Sequence, residues 1–230
     1  MVDLDDTLYP QRSYLTGAVA AVASRAASRG LDGGAFARTF QEVLDDGSDT
    51  GRTIDETLLR LGHPTPDDEI LATLIQAFVE YCPASLTPYP GVVESLERLA
   101  QRVPVACLTD GDARVQRAKI AALGVSQYFH QVLITDEVGG RARRKPDPWG
   151  LERIAEDLNV SLTDLVVIGD RPDKDVALAL VVGAAVVRIR QGEYRLLPSP
   201  RGISTVDDFA SATDLVFDKF LVTPCHYPET

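Results

Sequence analysis

The sequence is poor in the residues on which metal centres and disulfide scaffolds usually depend. Its 230 residues include three cysteines and three histidines, and neither set has the spacing of a zinc site. An odd number of cysteines without a paired pattern favours a reducing, cytoplasmic setting. Cys107 lies in an apolar run and is predicted to be a small core residue. His63, His130 and His226 are predicted to be ordinary surface or core residues.

Long apolar stretches and an excess of positive charge are also missing. No apolar run approaches the ~18 residues of a membrane span, and the first residues lack the basic and apolar regions of a secretory signal peptide. There are 34 acidic side chains against 23 basic ones, for a net charge of −11. This balance argues against nucleic acid or an anionic membrane as a partner. An anionic substrate would therefore need a local cation.

What the sequence does contain, in its second half, is an alternation of strand and helix patterns. Strands alternating with helices are typical of a parallel sheet that is covered on both faces. Short apolar runs predict strands at Val103–Leu108, Val132–Ile134, Leu165–Ile168 and Ala185–Ile189. Helical spacing of apolar residues predicts helices at Val92–Ala100, Val115–Leu123 and Pro148–Leu158. The tail from Leu197 is weakly patterned and predicts no element.

Residues 10–88 show helical patterns only. They predict an all-helical insertion in an α/β body made of residues 1–9 and 89–230. Thr53 and Glu56 have the spacing of a capping box at the start of one of these helices. The predicted helices are Tyr14–Arg29, Ala35–Leu44, Thr53–Leu61 and Asp67–Tyr81.

The acidic N-terminal segment carries the first candidate chemistry. Asp3 and Asp5 lie two residues apart, so an extended chain points both to one side and Asp6 to the other. Asp3 could attack a phosphoryl group as a nucleophile. Asp5 could protonate the leaving oxygen and then activate water, while Thr7 would hold the loop by a bond to the backbone. The alternative is a solvated acidic turn or a helix cap.

Two further segments could hold a phosphate. Thr109 ends an apolar run, and its hydroxyl could bond a phosphate oxygen, with Asp110 in the same phosphate-binding segment. An N-cap for the following helix is the alternative role for Thr109. Lys145, followed by two prolines, could offset the clustered carboxylates and bind a phosphate oxygen. Its alternative is a basic solvated loop, and Arg143 and Arg144 are interpreted as surface residues.

A second acidic pair follows the third predicted strand. Asp170 comes after Gly169, and Asp175 lies five residues further on, with Asp173 predicted to face solvent. Mg²⁺ prefers carboxylate oxygens, water and substrate phosphate as ligands. Asp170 would bind the ion beside Asp3 and the backbone carbonyl of Asp5. Asp175 would bind it through water or orient the lysine, although an ordinary acidic turn is the alternative.

In this order, the motifs resemble those of the haloacid dehalogenase-like (HAD) hydrolase superfamily. The matching segments are DLDDT at 3–7, LT at 108–109, KPDP at 145–148 and GDRPDKD at 169–175. The resemblance implies a Rossmann-like parallel sheet with a helical C1-type cap over the site. It also implies a Mg²⁺-dependent phosphatase that acts on a nucleotide or sugar phosphate through an aspartyl-phosphate. Dehalogenases of this group lack an aspartate at the position of Asp5, which disfavours that activity.

Other functions remain open on the sequence. A phosphomutase or phosphotransferase would use the same residues, and a binding protein without turnover would keep the fold alone. Only Met1 and Val2 precede Asp3, where family members carry several apolar residues of a central strand. We therefore expect a clipped central strand, and we expect an upstream apolar extension to raise stability and activity. Tyr14, Gln11 and Arg52 are candidates for substrate contact, and the oligomeric state cannot be inferred.

Overall fold

A computed structural model describes residues 1–63 and 67–221. The interpretation of His226, together with the end of the predicted 89–230 body, lies outside these residues. Within them, an α/β body is interrupted after its first segment by a group of helices. The fold class predicted from the sequence, a parallel sheet with inserted helices, is confirmed.

The inserted helices pack on one another around their own apolar core. Phe36, Phe40, Leu58 and Leu74 are buried in it and come from three different helices. None of the described helices is both long and apolar enough to cross a lipid bilayer. The helices are α1 (Gln11–Ser28), α2 (Gly33–Asp46), α3 (Thr53–Arg60) and α4 (Asp68–Val79).

The helix starts differ from prediction for local reasons. α2 begins at Gly33 because the side chain of Asp32 accepts a hydrogen bond from the Ala35 amide at 2.9 Å. The capping box predicted at Thr53 is wrong. Thr53 is already the first residue of α3, and Arg52 before it makes no side-chain cap.

The body alternates strands and helices along the chain. Its elements are α5 (Val92–Ala100), β1 (Ala106–Thr109), α6 (Ala113–Leu123), β2 (Gln131–Ile134), α7 (Thr135–Val138), α8 (Trp149–Leu158), β3 (Val166–Gly169), α9 (Ala177–Val182), β4 (Ala185–Ile189), β5 (Ser204–Val206) and α10 (Phe209–Lys219). The named strands pair in parallel, β1 with β2, β3 with β4, and β4 with β5.

The N-terminal segment lies between these two groups of strands and joins them. The Val2 amide donates to the carbonyl of Ala106 at 2.8 Å, and the Leu108 amide donates to Val2 at 3.0 Å. On the other side, the Asp3 amide donates to the carbonyl of Ile168 at 2.9 Å. The central strand is therefore as short as expected, yet it pairs on both sides. Asp3 lies at its carboxyl end.

β1 begins later than predicted. The Val103 amide bonds to the carbonyl of Leu99 at the end of α5, at 2.9 Å, and Pro104 has no amide hydrogen to give to a strand. The strand extends instead to Thr109, which places that hydroxyl at the sheet edge. Cys107 is buried in this strand, as predicted.

The tail is more ordered than its pattern suggests. β5 extends the sheet, and α10 packs back on the body with Phe209, Ala212 and Val216 buried. The side chain of Asp208 caps this helix by accepting from the Ser211 amide at 2.7 Å. An aspartate followed by apolar residues at helical spacing was thus the signal that would have revealed α10.

Candidate active site

The carboxyl ends of three neighbouring strands bring the predicted site residues together. Asp3, Thr109 and Asp170 follow the N-terminal segment, β1 and β3, which lie side by side in the sheet. They line one cavity of about 90 Å³, enough for several water molecules. All seven residues predicted as catalytic, phosphate-binding or metal-binding line this cavity: Asp3, Asp5, Thr109, Asp110, Lys145, Asp170 and Asp175.

Lys145 is the centre of a buried ionic cluster. Its Nζ lies 2.5 Å from Oδ1 of Asp3 and 2.7 Å from Oδ1 of Asp175, and it also reaches the carbonyl of Leu108 at 3.3 Å. Thr7 donates from Oγ1 to Oδ2 of Asp3 at 3.3 Å. The expected bond from Thr7 to the backbone is therefore replaced by a bond to the carboxylate itself.

Burial and the neighbouring charges together raise the pKa values of the two acids and of the lysine in this cluster. Burial raises the pKa of Asp3 to about 7, against the attraction of Lys145. Burial, and then the charges of Asp175 and Asp3, hold the pKa of Asp170 well above its ordinary value. Burial alone would lower the pKa of Lys145, but the surrounding carboxylates raise it well above its usual range. The cluster thus contains more negative charge than its lysine neutralises.

The unbalanced charge suits a hard divalent cation. One carboxylate oxygen from each of Asp3, Asp170 and Asp175 lies within 4.8 Å of the others. Oδ2 of Asp170 is buried without a hydrogen-bond partner in the described part of the chain. Such an oxygen is costly to bury unless a ligand binds it. Oxygen donors of this kind are those that Mg²⁺ prefers, so the residues fit the cofactor predicted from the sequence.

Gly169 allows Asp175 to fold back into the cluster. A Cβ at Gly169 would lie 2.3 Å from Cγ of Asp175, so only glycine permits this approach. Asp175 also accepts from the Arg171 amide at 3.1 Å. The acidic turn after β3 is therefore built to present two buried carboxylates. Asp173, by contrast, is exposed as predicted.

Asp5 has a separate set of partners. Nζ of Lys119 lies 2.8 Å from both of its oxygens, Tyr9 donates to it at 2.6 Å, and Nε2 of Gln116 donates at 3.1 Å. Burial alone would raise the pKa of Asp5, but Lys119 and the other donors bring it below its ordinary value. The carboxylate is therefore held as an anion. It points toward α6 and makes no contact with Lys145 among its hydrogen bonds.

The phosphate-binding candidates lie beside these two clusters. Oγ1 of Thr109 accepts from Nε2 of Gln116 at 2.5 Å. The alternative role of Thr109 as a helix cap is wrong, because the side chain of Asp112 caps α6. Oδ1 of Asp110 accepts from Thr135 and from the Lys145 amide, both at 3.1 Å.

Several side chains around the cavity were not predicted. Gln116 and Lys119 both bond to Asp5 and lie three residues apart on α6, the helix that follows β1. Their spacing places them on one face of that helix, and it is the signal that could have indicated them. Arg144, interpreted as a surface residue, is half-buried, lines the cavity and pairs with Asp136 at 2.5 Å. Nothing in the local sequence pattern would have indicated it.

The loop between α2 and α3 lies over the cavity. Ser48 and Asp49 line it, and Ser48 donates from Oγ to Glu193 of the body at 2.6 Å. A larger adjoining cavity of about 460 Å³ continues between the inserted helices and the body. The three substrate-contact candidates all border these spaces. Gln11 lines both cavities, while Tyr14 and Arg52 line the larger one.

A parallel sheet with an acidic, lysine-centred cavity at its carboxyl edge, covered by helices inserted after the first segment, is a Rossmann-like α/β arrangement. The model of the haloacid dehalogenase-like hydrolase family matches residues 1–183. The chain belongs to this family, as its motifs predicted.

Curated relatives extend over most of the chain. A glyceraldehyde 3-phosphate phosphatase of Methanopyrus kandleri is 33% identical, with 91% of this chain and 90% of the relative covered. A ribulose-1,5-bisphosphate 5-phosphatase of Halopiger xanaduensis is 27% identical, with 94% and 98% covered.

Solved structures show the same fold at lower identity. A 2-haloacid dehalogenase of Pseudomonas syringae has a TM-score of 0.65 at 20% identity, covering 94% of this chain and 96% of its own. A HAD phosphatase of Thermococcus onnurineus has a TM-score of 0.63 at 20% identity, covering 94% and 95%. Since dehalogenases and phosphatases share this fold, the fold does not choose between the two reactions.

Proposed function

We propose that the protein is a Mg²⁺-dependent phosphatase that hydrolyses a small phosphate monoester of the sugar phosphate or nucleotide type. The observation that carries the proposal is the pair of differently held carboxylates, Asp3 in the lysine cluster and Asp5 beside it. Asp5 supplies the group that a phosphatase needs and the dehalogenases of this group lack. The names of the curated relatives support a phosphorylated sugar as substrate.

In the proposed reaction, an oxygen of Asp3 attacks phosphorus and the ester oxygen leaves with a proton from Asp5. Water, losing a proton to Asp5, then attacks the aspartyl-phosphate and releases inorganic phosphate. Lys119 and Tyr9 hold Asp5 as a carboxylate in the ligand-free state. As a carboxylate, Asp5 is ready to act as the base. To act as the acid, it must first take up a proton when the ester binds.

The remaining residues position the phosphate and the cation. The phosphate group of the substrate would be bound by Lys145, Thr109 and Asp110. Asp3 and Asp170 would hold Mg²⁺ with the backbone carbonyl of Asp5, and the cation would neutralise charge on the phosphate. The bond from Asp175 to Lys145 at 2.7 Å supports an orienting role for Asp175.

Residues 10–88 would act as a cap on a body formed by residues 1–9 and 89–230. The cap would open to admit a small cytoplasmic metabolite and close to exclude water. The position of the α2–α3 loop over the cavity supports this role.

The proposal is tested by phosphate release from sugar phosphates, nucleoside monophosphates and an aryl phosphate, with Mg²⁺ and with EDTA. Asp3→Asn should reduce turnover by at least about 10³-fold, because the nucleophile is lost. Asp207→Asn, at an exposed position in the body, is the matched control. Full activity of Asp3→Asn would overturn the mechanism.

Two other results would identify the alternatives. Transfer of phosphate to a sugar acceptor in preference to water would indicate a phosphotransferase. Ligand binding without turnover under any metal would indicate a binding protein.

A further inference from the structure

Two cations on the cavity wall have no part in the proposed reaction. Arg171 and Lys174 lie on the turn after Asp170, and both line the cavity that holds Asp3. Lys145 is already paired with the carboxylates of Asp3 and Asp175. Arg171 and Lys174 pair with other acids and make no contact with Asp3. In a protein with a net charge of −11, two further cations at this cavity call for an anionic partner.

Arg171 is paired with Asp173 in its own turn, and the acid that both cations share is Asp49 of the loop between α2 and α3. One oxygen, Oδ2, lies 2.5 Å from Nη1 of Arg171 and 2.9 Å from Nζ of Lys174. A single anionic oxygen thus bridges a guanidinium and an ammonium group. The two cations hold the pKa of Asp49 below its ordinary value, against the effect of burial.

The body fixes the two cations without help from Asp49. The guanidinium of Arg171 makes two bonds to Asp173, at 3.0 and 2.6 Å, and stacks 4.1 Å from the ring centre of Tyr194. Lys174 lies 3.7 Å from Oδ2 of Asp110. The pair is therefore preorganised to bind an anion, which lowers the entropic cost of binding.

Asp49, by contrast, is held in place by side chains only. No backbone-to-backbone hydrogen bond joins residues 48–51 to another element of the described chain, and the loop contacts the body through Asp49 and through the bonds of Ser48 to Glu193. Asp49 can thus leave the cations without breaking a helix or strand. An incoming anionic group would need to replace only the carboxylate of Asp49.

We propose that Arg171 and Lys174 form a subsite for a second anionic group of the substrate, which Asp49 occupies when no substrate is bound. The inference rests on the proposed phosphatase function and narrows its substrate class. Lys174 approaches Asp110, whose other oxygen accepts from the Lys145 amide. The subsite therefore adjoins the phosphate site, and the preferred esters are short and carry a carboxylate or a second phosphate.

Three esters of one carbon skeleton test this: glycerol 3-phosphate, 3-phosphoglycerate and glycerol 1,3-bisphosphate. They differ only in a neutral, carboxylate or phosphate group at the far end. We expect kcat/KM to be at least 10-fold higher for the anionic esters, the usual scale of a charged hydrogen bond. The two anionic esters compared with each other identify which group the subsite prefers.

Variants should move this preference in opposite directions. Lys174→Gln should lower the ratio of anionic to neutral kcat/KM by about 10-fold, chiefly through the KM of the anionic esters. Asp49→Asn should raise the ratio several-fold, because it removes the competing carboxylate. Lys219→Gln, an exposed lysine at the end of α10, controls for the loss of a charge.

Failure of the subsite and failure of the function give different results. If neither these esters nor the wider panel release phosphate, the proposed function is wrong and the subsite falls with it. If only esters of the wider panel are hydrolysed, the function stands and the subsite for short anionic esters is wrong. If all three esters are hydrolysed alike, or if Lys174→Gln slows them equally, the function stands and the subsite is wrong. Equal slowing would place Lys174 on the transferred phosphate instead.

Discussion

Asp3 and Asp5 are two residues apart in the sequence, yet the fold gives them opposite environments. Burial raises the pKa of Asp3 to about 7, because Lys145, the cation that opposes this rise, is shared with Asp175. Asp5 has Lys119 to itself, with Tyr9 and Gln116 as further donors, and its pKa falls. The number of donors for each carboxylate, and not burial alone, sets the difference.

The difference separates the two proposed roles. The Asp3 cluster has an excess of negative charge and a buried oxygen without a partner, so it is suited to a divalent cation. The Asp5 cluster is already satisfied and suited to holding a carboxylate in one orientation. Two neighbouring acids whose pKa values differ can take different roles in one active site, one as nucleophile and the other as acid or base.

Replacing the lysine of either cluster should produce the largest change in the free energy of unfolding. Lys145→Met should lower the free energy of unfolding by about 3–5 kcal/mol, because it leaves buried carboxylates without a counter-charge. Lys119→Met should cost less, about 1–3 kcal/mol, because Asp5 keeps Tyr9 and Gln116. Urea titration in EDTA measures both, with Lys219→Met as the control. Equal losses would show that the two clusters are not different.

The pH dependence of stability in EDTA should reveal the Asp3 cluster. The folded protein keeps a proton on Asp3 up to pH about 7, whereas the unfolded chain loses it near pH 4. The folded state thus holds a proton on Asp3 that the unfolded chain lacks, so the contribution of Asp3 to stability should fall as pH rises from about 4 to 7, by at most about 1.4 kcal/mol per pH unit. Denaturant titrations across this range measure the slope, and Asp3→Asn should reduce it. An unchanged slope would contradict the assignment.

Asp170→Asn sharpens the contrast by separating stability from metal binding. In EDTA at alkaline pH the variant should be more stable than the parent by about 1–2 kcal/mol, because burial and the charges of Asp175 and Asp3 disfavour the ionised carboxyl that the substitution removes. With Mg²⁺ the parent should gain about 2.7 kcal/mol at 100 times its Kd, and the variant should gain little. Thermal unfolding with and without Mg²⁺ measures both effects. A variant that keeps the full Mg²⁺ stabilisation would remove Asp170 from the ligand set.

Tyr9→Phe tests the Asp5 cluster with the smallest change. It removes one 2.6 Å hydrogen bond and keeps the ring, so kcat/KM should fall about 5-fold, corresponding to about 1 kcal/mol. A loss in kcat/KM greater than about 5-fold would show that Asp5 needs all of its donors to stay oriented. Phosphate release at several pH values measures it. No change would show that Lys119 alone is sufficient.

The sequence predicted the parts of the site that follow strands. The ends of the N-terminal segment, β1 and β3 were near enough to the predicted ones that Asp3, Thr109 and Asp170 met as expected. Apolar residues at helical spacing also located the inserted helices, with errors in the first residue of α1, α2 and α4. The close approach of Gly169 to Asp175 was not predicted and required the folded structure.

The rest could not be predicted because it depends on contacts between distant segments. Lys119 and Asp5 are 114 residues apart, and Asp49 and Arg171 are 122 apart. No local pattern encodes such pairs. The tail was missed for a different reason, since β5 has three residues and α10 shows its apolar face only once Asp208 is recognised as a cap.

The pairing of Val2 on both sides has a consequence for how the molecule folds. β1 with β2, and β3 with β4, join strands that are close along the chain, whereas Val2 bonds to partners near Cys107 and Ile168. Such distant contacts form late because loop closure must precede them. Asp3 therefore reaches its place only when both halves of the sheet exist. The proposed nucleophile is thus positioned by the assembled sheet, and no single strand–helix unit of the chain can position it alone.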